Sequence, residues 1–332
     1  MENGNSRNST NNSTFFVHLL IAFRVSTIII SILIVAINLF FFLFIMFCKT
    51  LRTPSNVLIL SINLSCIIAA FTFILPIAIV RGVNIPLVCI IFLPLGDSSA
   101  LMVNIHACLI CLEHYCINSD INNNVPDGLT HPFHYQRYIS NKVVIGCCII
   151  LWILVLGLIT ALYVILDNLQ CPDWTANLAQ DRKRLIIYTV VASVMTGLPL
   201  ITMLYTYLKL HYFILQHLIR IDSEISHFNR ETIITRKHKV LRRMLFLLIN
   251  FSVCWLPILI TTLIIFRFGY KSQILIAIRN ISFAVTYLYS LAGPLGYIFC
   301  CPDIAKKLRR WWVAIWSHRA WPSSAKVGNV AR

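Results

Sequence analysis

Few side chains in this chain of 332 residues have the types and spacing that could do chemistry. Cys108, Cys111 and Cys116 lie close together but lack the partner spacing of a zinc site. No nucleophile–base pair stands out, and neither an enzyme activity nor a cofactor is implied. Asp97 is the one acid well inside an apolar run near its first end. An ionisable group there is a functional candidate: it could face a cationic ligand group, or pair with Arg279 or Arg81. Asn104, His106 and Asn250 are polar within similar runs and read more simply as interhelical hydrogen-bonding groups. Phe251 and Trp255 stand one helical turn apart. Pro199, Pro257 and Pro294 each remove a backbone donor from an apolar run. Glu113-His114-Tyr115 closes a run that Cys89 opens.

The elements that must position these residues follow from composition. Hydrophobic residues make up 58% of the chain, charged residues only 12%, and the mean hydropathy is +0.78. A soluble domain carries about twice that share of charge. Several stretches of 18 or more residues are nearly charge-free, and each qualifies as a membrane span. Cys89 and Glu113 are separated by about 36 Å of helix, slightly more than a bilayer core. Laid out against that rod, seven spans are expected at about 22–48, 56–80, 87–116, 142–166, 184–215, 240–266 and 272–299. The expected fold is therefore an all-α membrane bundle of seven transmembrane helices, with the N-terminus extracellular.

With that topology the cytoplasmic segments hold 19 of 28 Lys and Arg but 7 of 12 acids, a net +12 against +4 outside. This is the positive-inside pattern. The basic charge therefore reports orientation and contact with membrane lipids, not nucleic acid. Residues 1–21 form a polar tail with sequons at Asn8, Asn11 and Asn12, which glycosylation would use only outside the cell. No cleaved signal peptide is evident at the start. Residues 22–301 hold the spans. In residues 302–332, Ile304, Leu308, Trp311, Trp312 and Ile315 share one helical face and Lys306, Lys307, Arg309 and Arg310 the other. That pattern predicts an amphipathic eighth helix on the cytoplasmic leaflet.

In this order the motifs resemble those of rhodopsin-like (class A) G-protein-coupled receptors. The resemblance covers all seven spans. Asn38 matches the first-helix asparagine, and Lys49 to Asn56 the first intracellular loop. Trp152 matches the fourth-helix tryptophan, Pro199 and Tyr207 the fifth-helix pair, and Phe251 with Cys254-Trp255-Leu256-Pro257 the sixth-helix motif. Gly293-Pro294-Leu295-Gly296-Tyr297 aligns with the seventh-helix Asn-Pro-x-x-Tyr. The resemblance implies a Cys89–Cys171 disulfide over the ligand entrance. It also implies a ligand pocket near Asp97, Leu101, Trp255, Ile258, Leu259, Phe283 and Tyr287. Activation and coupling would involve Glu113, His114, Tyr115, Tyr207, Phe251, Trp255, Pro257, Pro294 and Tyr297. The implied partners are a heterotrimeric G protein and an extracellular ligand, at the plasma membrane.

The departures are specific. The family's second-helix aspartate falls at Cys66 and its seventh-helix asparagine at Gly293. A thiol and a glycine offer no hard oxygen ligand, so the family's sodium site is expected to be absent. The coupling arginine is His114, which is shorter and has fewer donors. The usual sixth-helix acid is Lys237, and the segment from Tyr115 to Pro132 is longer than usual. A receptor-like protein that binds a ligand or partner without efficient coupling is therefore the alternative reading. A transporter is disfavoured by the absence of an internal repeat and the scarcity of buried charge. A light sensor is disfavoured because no lysine lies between Lys271 and Lys306. Gly96, one residue before Asp97, stands where amine receptors carry an aspartate, which argues against a monoamine ligand. If the disulfide shapes the ligand entrance, Cys89→Ser lowers ligand response per receptor at the cell surface. Loss of surface expression alone would reduce the bridge to a folding role.

Overall fold

The computed structural model describes residues 4–48, 51, 53–80, 91–123, 140–165, 182–224, 227–269, 273–300 and 302–316. Every element named among them is helical: α1 (Gly4–Phe47), α2 (Pro54–Ala69), a π-helical segment (Ala70–Ile74), α3 (Leu75–Val80), α4 (Leu93–Asn123), α5 (Asn141–Ile165), α6 (Arg182–Glu224), α7 (His227–Phe268), α8 (Gln273–Cys300) and α9 (Pro302–Trp316). Six carry stretches long and apolar enough to cross a membrane: Ile21–Phe47, Pro54–Ile74, Leu93–Cys116, Asn141–Ile165, Thr189–Gln216 and His238–Phe268. The seventh expected span, α8, falls outside that set.

The expected spans coincide with helices, and the differences lie at the ends. No proline interrupts residues 4–47, and α1 runs on through the polar segment that carries Asn8, Asn11 and Asn12. α4 continues to Asn123, past Tyr115. α6 and α7 extend to Glu224 and from His227, so the connection between them is mostly helical. Cys89, Cys171, Arg81 and Lys271 lie outside the described residues.

The helices close into a ring in the order α1, α2, α4, α6, α7, α8 and back to α1, with α4 also touching α7. α5 sits outside the ring against α2 and α4. Its burial pattern explains why: Cys148, Val155, Ile159 and Tyr163 are buried, while Ile153, Leu154 and Leu158 are exposed. Similar exposed aliphatic residues, including Ile201 on α6 and Ile260 on α7, cover the outside of the bundle. In lipid these side chains have no reason to turn inward. The central cluster takes Ile34 from α1, Cys66 from α2, Val103, Ala107 and Cys111 from α4, Met203 and Leu210 from α6, Phe251 and Cys254 from α7, and Tyr287 and Tyr289 from α8.

Two local devices set helix ends and direction. Thr53 caps α2, with its Oγ1 accepting from the Asn56 amide at 3.4 Å and Pro54 in the first turn. Asn56 Nδ2 donates to the Leu51 carbonyl at 2.5 Å, tying the preceding turn to the helix. Further along, Pro76 lacks an amide N–H, and the π-helical turn before it re-registers the ladder, with the Leu75 amide bonding the Ala70 carbonyl. The bulged turn carries Phe73, which lies against Gly96 of α4. At the opposite end of α1, Ile304, Leu308 and Trp311 of α9 pack on Phe44, Ile45, Cys48 and Leu51. Trp311 meets the Phe40 and Phe44 rings edge-on at 5.7 Å each. The apolar face expected of this helix is thus committed in large part to α1.

The Gly96 contact is testable. A Cβ at Gly96 would stand 2.5 Å from the Phe73 Cβ, an atom that cannot swing aside without moving the backbone of the π-helical turn. Gly96→Ala is therefore expected to cost about 1–3 kcal/mol by overpacking. Gly157→Ala in α5, where a Cβ meets nothing within 4 Å, is expected to be neutral or slightly stabilising. Thermal unfolding of the purified variants in detergent separates the two.

Candidate functional site

The residues singled out in the sequence fall into three levels of the bundle. At the lower level, α4 ends its apolar run with Glu113, His114 and Tyr115. Glu113 is buried, and its Oε1 accepts a 2.7 Å hydrogen bond from Ser55 Oγ in the first turn of α2. His114 lies within electrostatic reach of Arg243 on α7. Tyr115 packs toward α6, with its ring 6.0 Å from that of Phe213. Tyr207 of α6 also packs against the central cluster, and its ring lies 6.2 Å from His211 on the same helix. Tyr297 falls near the end of α8.

At the middle level, Phe251 and Trp255 of α7 stack at 5.9 Å with planes 17° apart. Tyr289 of α8 meets both edge-on, at 5.9 Å and 6.3 Å. Such pairs add about 0.5–1.5 kcal/mol each beyond the area they bury. The sequence pointed to Phe251 and Trp255 but not to Tyr289. Nothing in the sequence sets it apart from Tyr287 and Tyr297 on the same helix. Cys66 is buried in the same cluster with Ala107, Cys111 and Tyr289, whereas a side chain at Gly293 would meet nothing within 4 Å.

This level also holds the three helix-breaking prolines. Pro294 leaves the Ser290 carbonyl, four residues earlier, without its helical donor. Asn38 Nδ2 of α1 donates to that carbonyl at 3.0 Å. Pro199 does the same to the Met195 carbonyl, and Asn104 Nδ2 of α4 donates to it at 3.2 Å. Around Pro257, Thr286 Oγ1 of α8 donates to the Cys254 carbonyl at 3.0 Å. Thr261 Oγ1 bonds the Pro257 carbonyl and, at 3.1 Å, Ser282 Oγ. Asn104 thus acts as interhelical glue, as the sequence suggested, and so does Trp152, whose Nε1 reaches Ser61 Oγ at 3.4 Å. His106 is fully buried, with its Nδ1 2.6 Å from the Met102 carbonyl.

At the upper level the expected pocket residues divide into two groups. Asp97 was expected to face a ligand or to pair with Arg279 or Arg81. Its Oδ2 accepts a 2.6 Å hydrogen bond from Tyr163 OH of α5. The cause is register. Asp97 is rotated about 100° from Gly96 around α4, which takes it toward α5. Leu101, one turn on, follows it and joins the cluster formed with Val155, Ile159 and Met195. Arg279 is buried on α8, with its guanidinium 5.1 Å from the centre of the Phe283 ring. Phe283 and Tyr287 tilt against each other at 6.4 Å and pack with Trp255 around the central cluster. Ile258 is buried and Leu259 half-buried on α7. Trp255, Phe283 and Tyr287 therefore come together, while Asp97 and Leu101 belong to the α4–α5 seam.

The family model described as "7 transmembrane receptor (rhodopsin family)" matches residues 37–297, the stretch that spans these three levels. The chain belongs to that family. A comparison with curated proteins gives no match. As a member of this family the receptor is a multi-pass membrane protein, and the ring of helices that includes α4 is the frame on which its site is built.

The Asp97–Tyr163 bond gives a direct prediction. Tyr163→Phe removes the donor and leaves a buried carboxyl without it, at an expected loss of about 1–2 kcal/mol. In the Asp97→Asn background the same substitution is expected to cost less, because an amide loses less than a carboxylate when the donor is removed. Thermal unfolding of the two single variants and the double variant measures this coupling.

Proposed function

We propose that the protein is a plasma-membrane receptor that passes an extracellular ligand signal to a heterotrimeric G protein. In this reading the N-terminus, with Asn8, Asn11 and Asn12 glycosylated, lies outside, and a Cys89–Cys171 disulfide holds the second extracellular loop over the bundle. The lower level faces the cytoplasm, with α9 as the amphipathic eighth helix along the inner leaflet. The observation that carries the proposal is the aromatic stack of Phe251, Trp255 and Tyr289. It joins α7 to α8 directly beneath Phe283 and Tyr287, and a ligand pressing on Trp255 would move the segment of α7 that ends beside His114. The pocket is assigned to Trp255, Ile258, Leu259, Phe283 and Tyr287, with Asp97 and Leu101 supporting it from the α4–α5 seam. Glu113, His114, Tyr115, Tyr207, Pro257, Pro294 and Tyr297 form the responding end. No sodium ion is assigned to the middle level, because Cys66 and Gly293 offer it no hard oxygen.

One observation favours the second reading, a receptor that binds without efficient coupling. Glu113 is engaged by Ser55 of α2, and its neighbour is an imidazole where the family has a guanidinium. Such a bundle can change shape without presenting the usual charge to a G protein.

Guanine-nucleotide exchange on a panel of G proteins distinguishes the two, measured with wild type and His114→Arg at matched surface expression. Coupling predicts exchange above background for at least one G protein in wild type, altered by the substitution. Absence of exchange in both, with normal surface expression, sinks the coupling reading and leaves the second.

A further inference from the structure

Three prolines each remove one hydrogen bond from the ladders of three neighbouring helices, and the freed carbonyls meet different fates. In α8 the Ser290 carbonyl freed by Pro294 is taken by Asn38. In α6 the Met195 carbonyl freed by Pro199 is taken by Asn104. In α7 the carbonyl freed by Pro257 belongs to Val253, which is 61% exposed on the outer face of the bundle. Asn104 has a second unusual feature. Its side chain is fully buried, yet Oδ1 has no hydrogen-bond partner among the described residues. A leucine of similar volume would remove that orphaned acceptor and would be the better core residue unless the Nδ2 donor were needed. One turn further along α4, Cys108 Sγ reaches the Pro199 carbonyl itself at 3.6 Å, so α4 bonds α6 at two carbonyls around the proline.

We infer that Asn104 is the positioning residue that holds α6 in place at Pro199. By replacing the backbone donor that Pro199 lacks, it makes α6 a fixed post beside the central cluster. The clamp acts on the carbonyl and not on any ligand. It holds whether or not the bundle couples to a G protein. It also explains why an apolar position in the middle of α4 carries an amide at all.

The test is a double-mutant cycle that uses the chemistry of proline. Asn104→Leu leaves the Met195 carbonyl with no donor and is expected to lower the thermal midpoint of the purified protein by about 3 °C. In the Pro199→Ala background residue 199 regains its N–H and can bond Met195 within the helix, so Asn104→Leu is expected to leave the midpoint unchanged or raise it. Equal losses in both backgrounds would overturn the inference, because they would mean that Asn104 acts by packing alone.

A distance measurement separates positioning from stability. Spin labels are attached to introduced ketone side chains at Gln216 on α6 and Val143 on α5, both exposed, so that native thiols stay unlabelled. The clamp predicts a broader distance distribution in Asn104→Leu than in wild type, and a narrow one restored by Pro199→Ala. A distribution unchanged by Asn104→Leu would show that α6 is held by something else. If a variant fails to fold, the cycle is run with Asn104→Ala and the same expectations hold.

Discussion

Inside hydrocarbon, a backbone carbonyl that loses its helical donor has no water to turn to. That single constraint organises the middle of this bundle. The prolines in α6 and α8 and the π-helical turn before Pro76 each disturb a helical ladder and are answered locally, while in α7 Thr286 bonds the Cys254 carbonyl beside the one that Pro257 frees. The answers are an asparagine amide from a neighbouring helix or a wider turn. Because most of these donors come from another helix, satisfying the backbone also fixes which helices lie side by side. Asn38 brings α1 against α8, Asn104 brings α4 against α6, and Thr286 brings α8 against α7. The ring closes through these hydrogen bonds as much as through packing.

Hydrophobic burial works differently here from the way it does in a soluble domain. The outside is as apolar as the inside, so side-chain polarity does not tell a helix which face to bury. Size and hydrogen bonding do. The buried positions collect Ala107, Cys66, Cys111 and Ser98 alongside the polar groups Asn38, Asn63 and Asn104, while Ile153, Leu158 and Ile201 are left outside. α5 shows the limiting case. It is held on α2 and α4 by a few small or branched residues and by two polar ties, Trp152 to Ser61 and Tyr163 to Asp97.

The helices themselves were legible in the sequence because hydropathy and length fix them one at a time. The prolines and Asn38 were legible because their types are costly in lipid and so mark special places, and Trp152, Phe251 and Trp255 because they stand at the family's motif positions. Partners were not. Nothing local in the sequence says that Asp97 meets Tyr163, 66 residues away, because that depends on how α4 is rotated against α5. Tyr289 was missed for a related reason: a tyrosine in a helix with several others gives no signal until the stack with Phe251 and Trp255 is assembled. The ends of α4, α6 and α7 run beyond the apolar stretches because polar residues with fair helix propensity continue a helix already nucleated in the bundle. Hydropathy alone does not report that continuation.

The contact between Phe73 and Gly96 constrains how this receptor can change over generations. The two positions form a ring and a hole, and neither can be altered freely while the other stays as it is. A lineage that acquired any side chain at residue 96, including the carboxylate that would welcome an amine, would first have to shift the backbone at residue 73. The order of changes is thereby set by sterics, and the route to a different ligand class passes through the π-helical turn before it reaches α4.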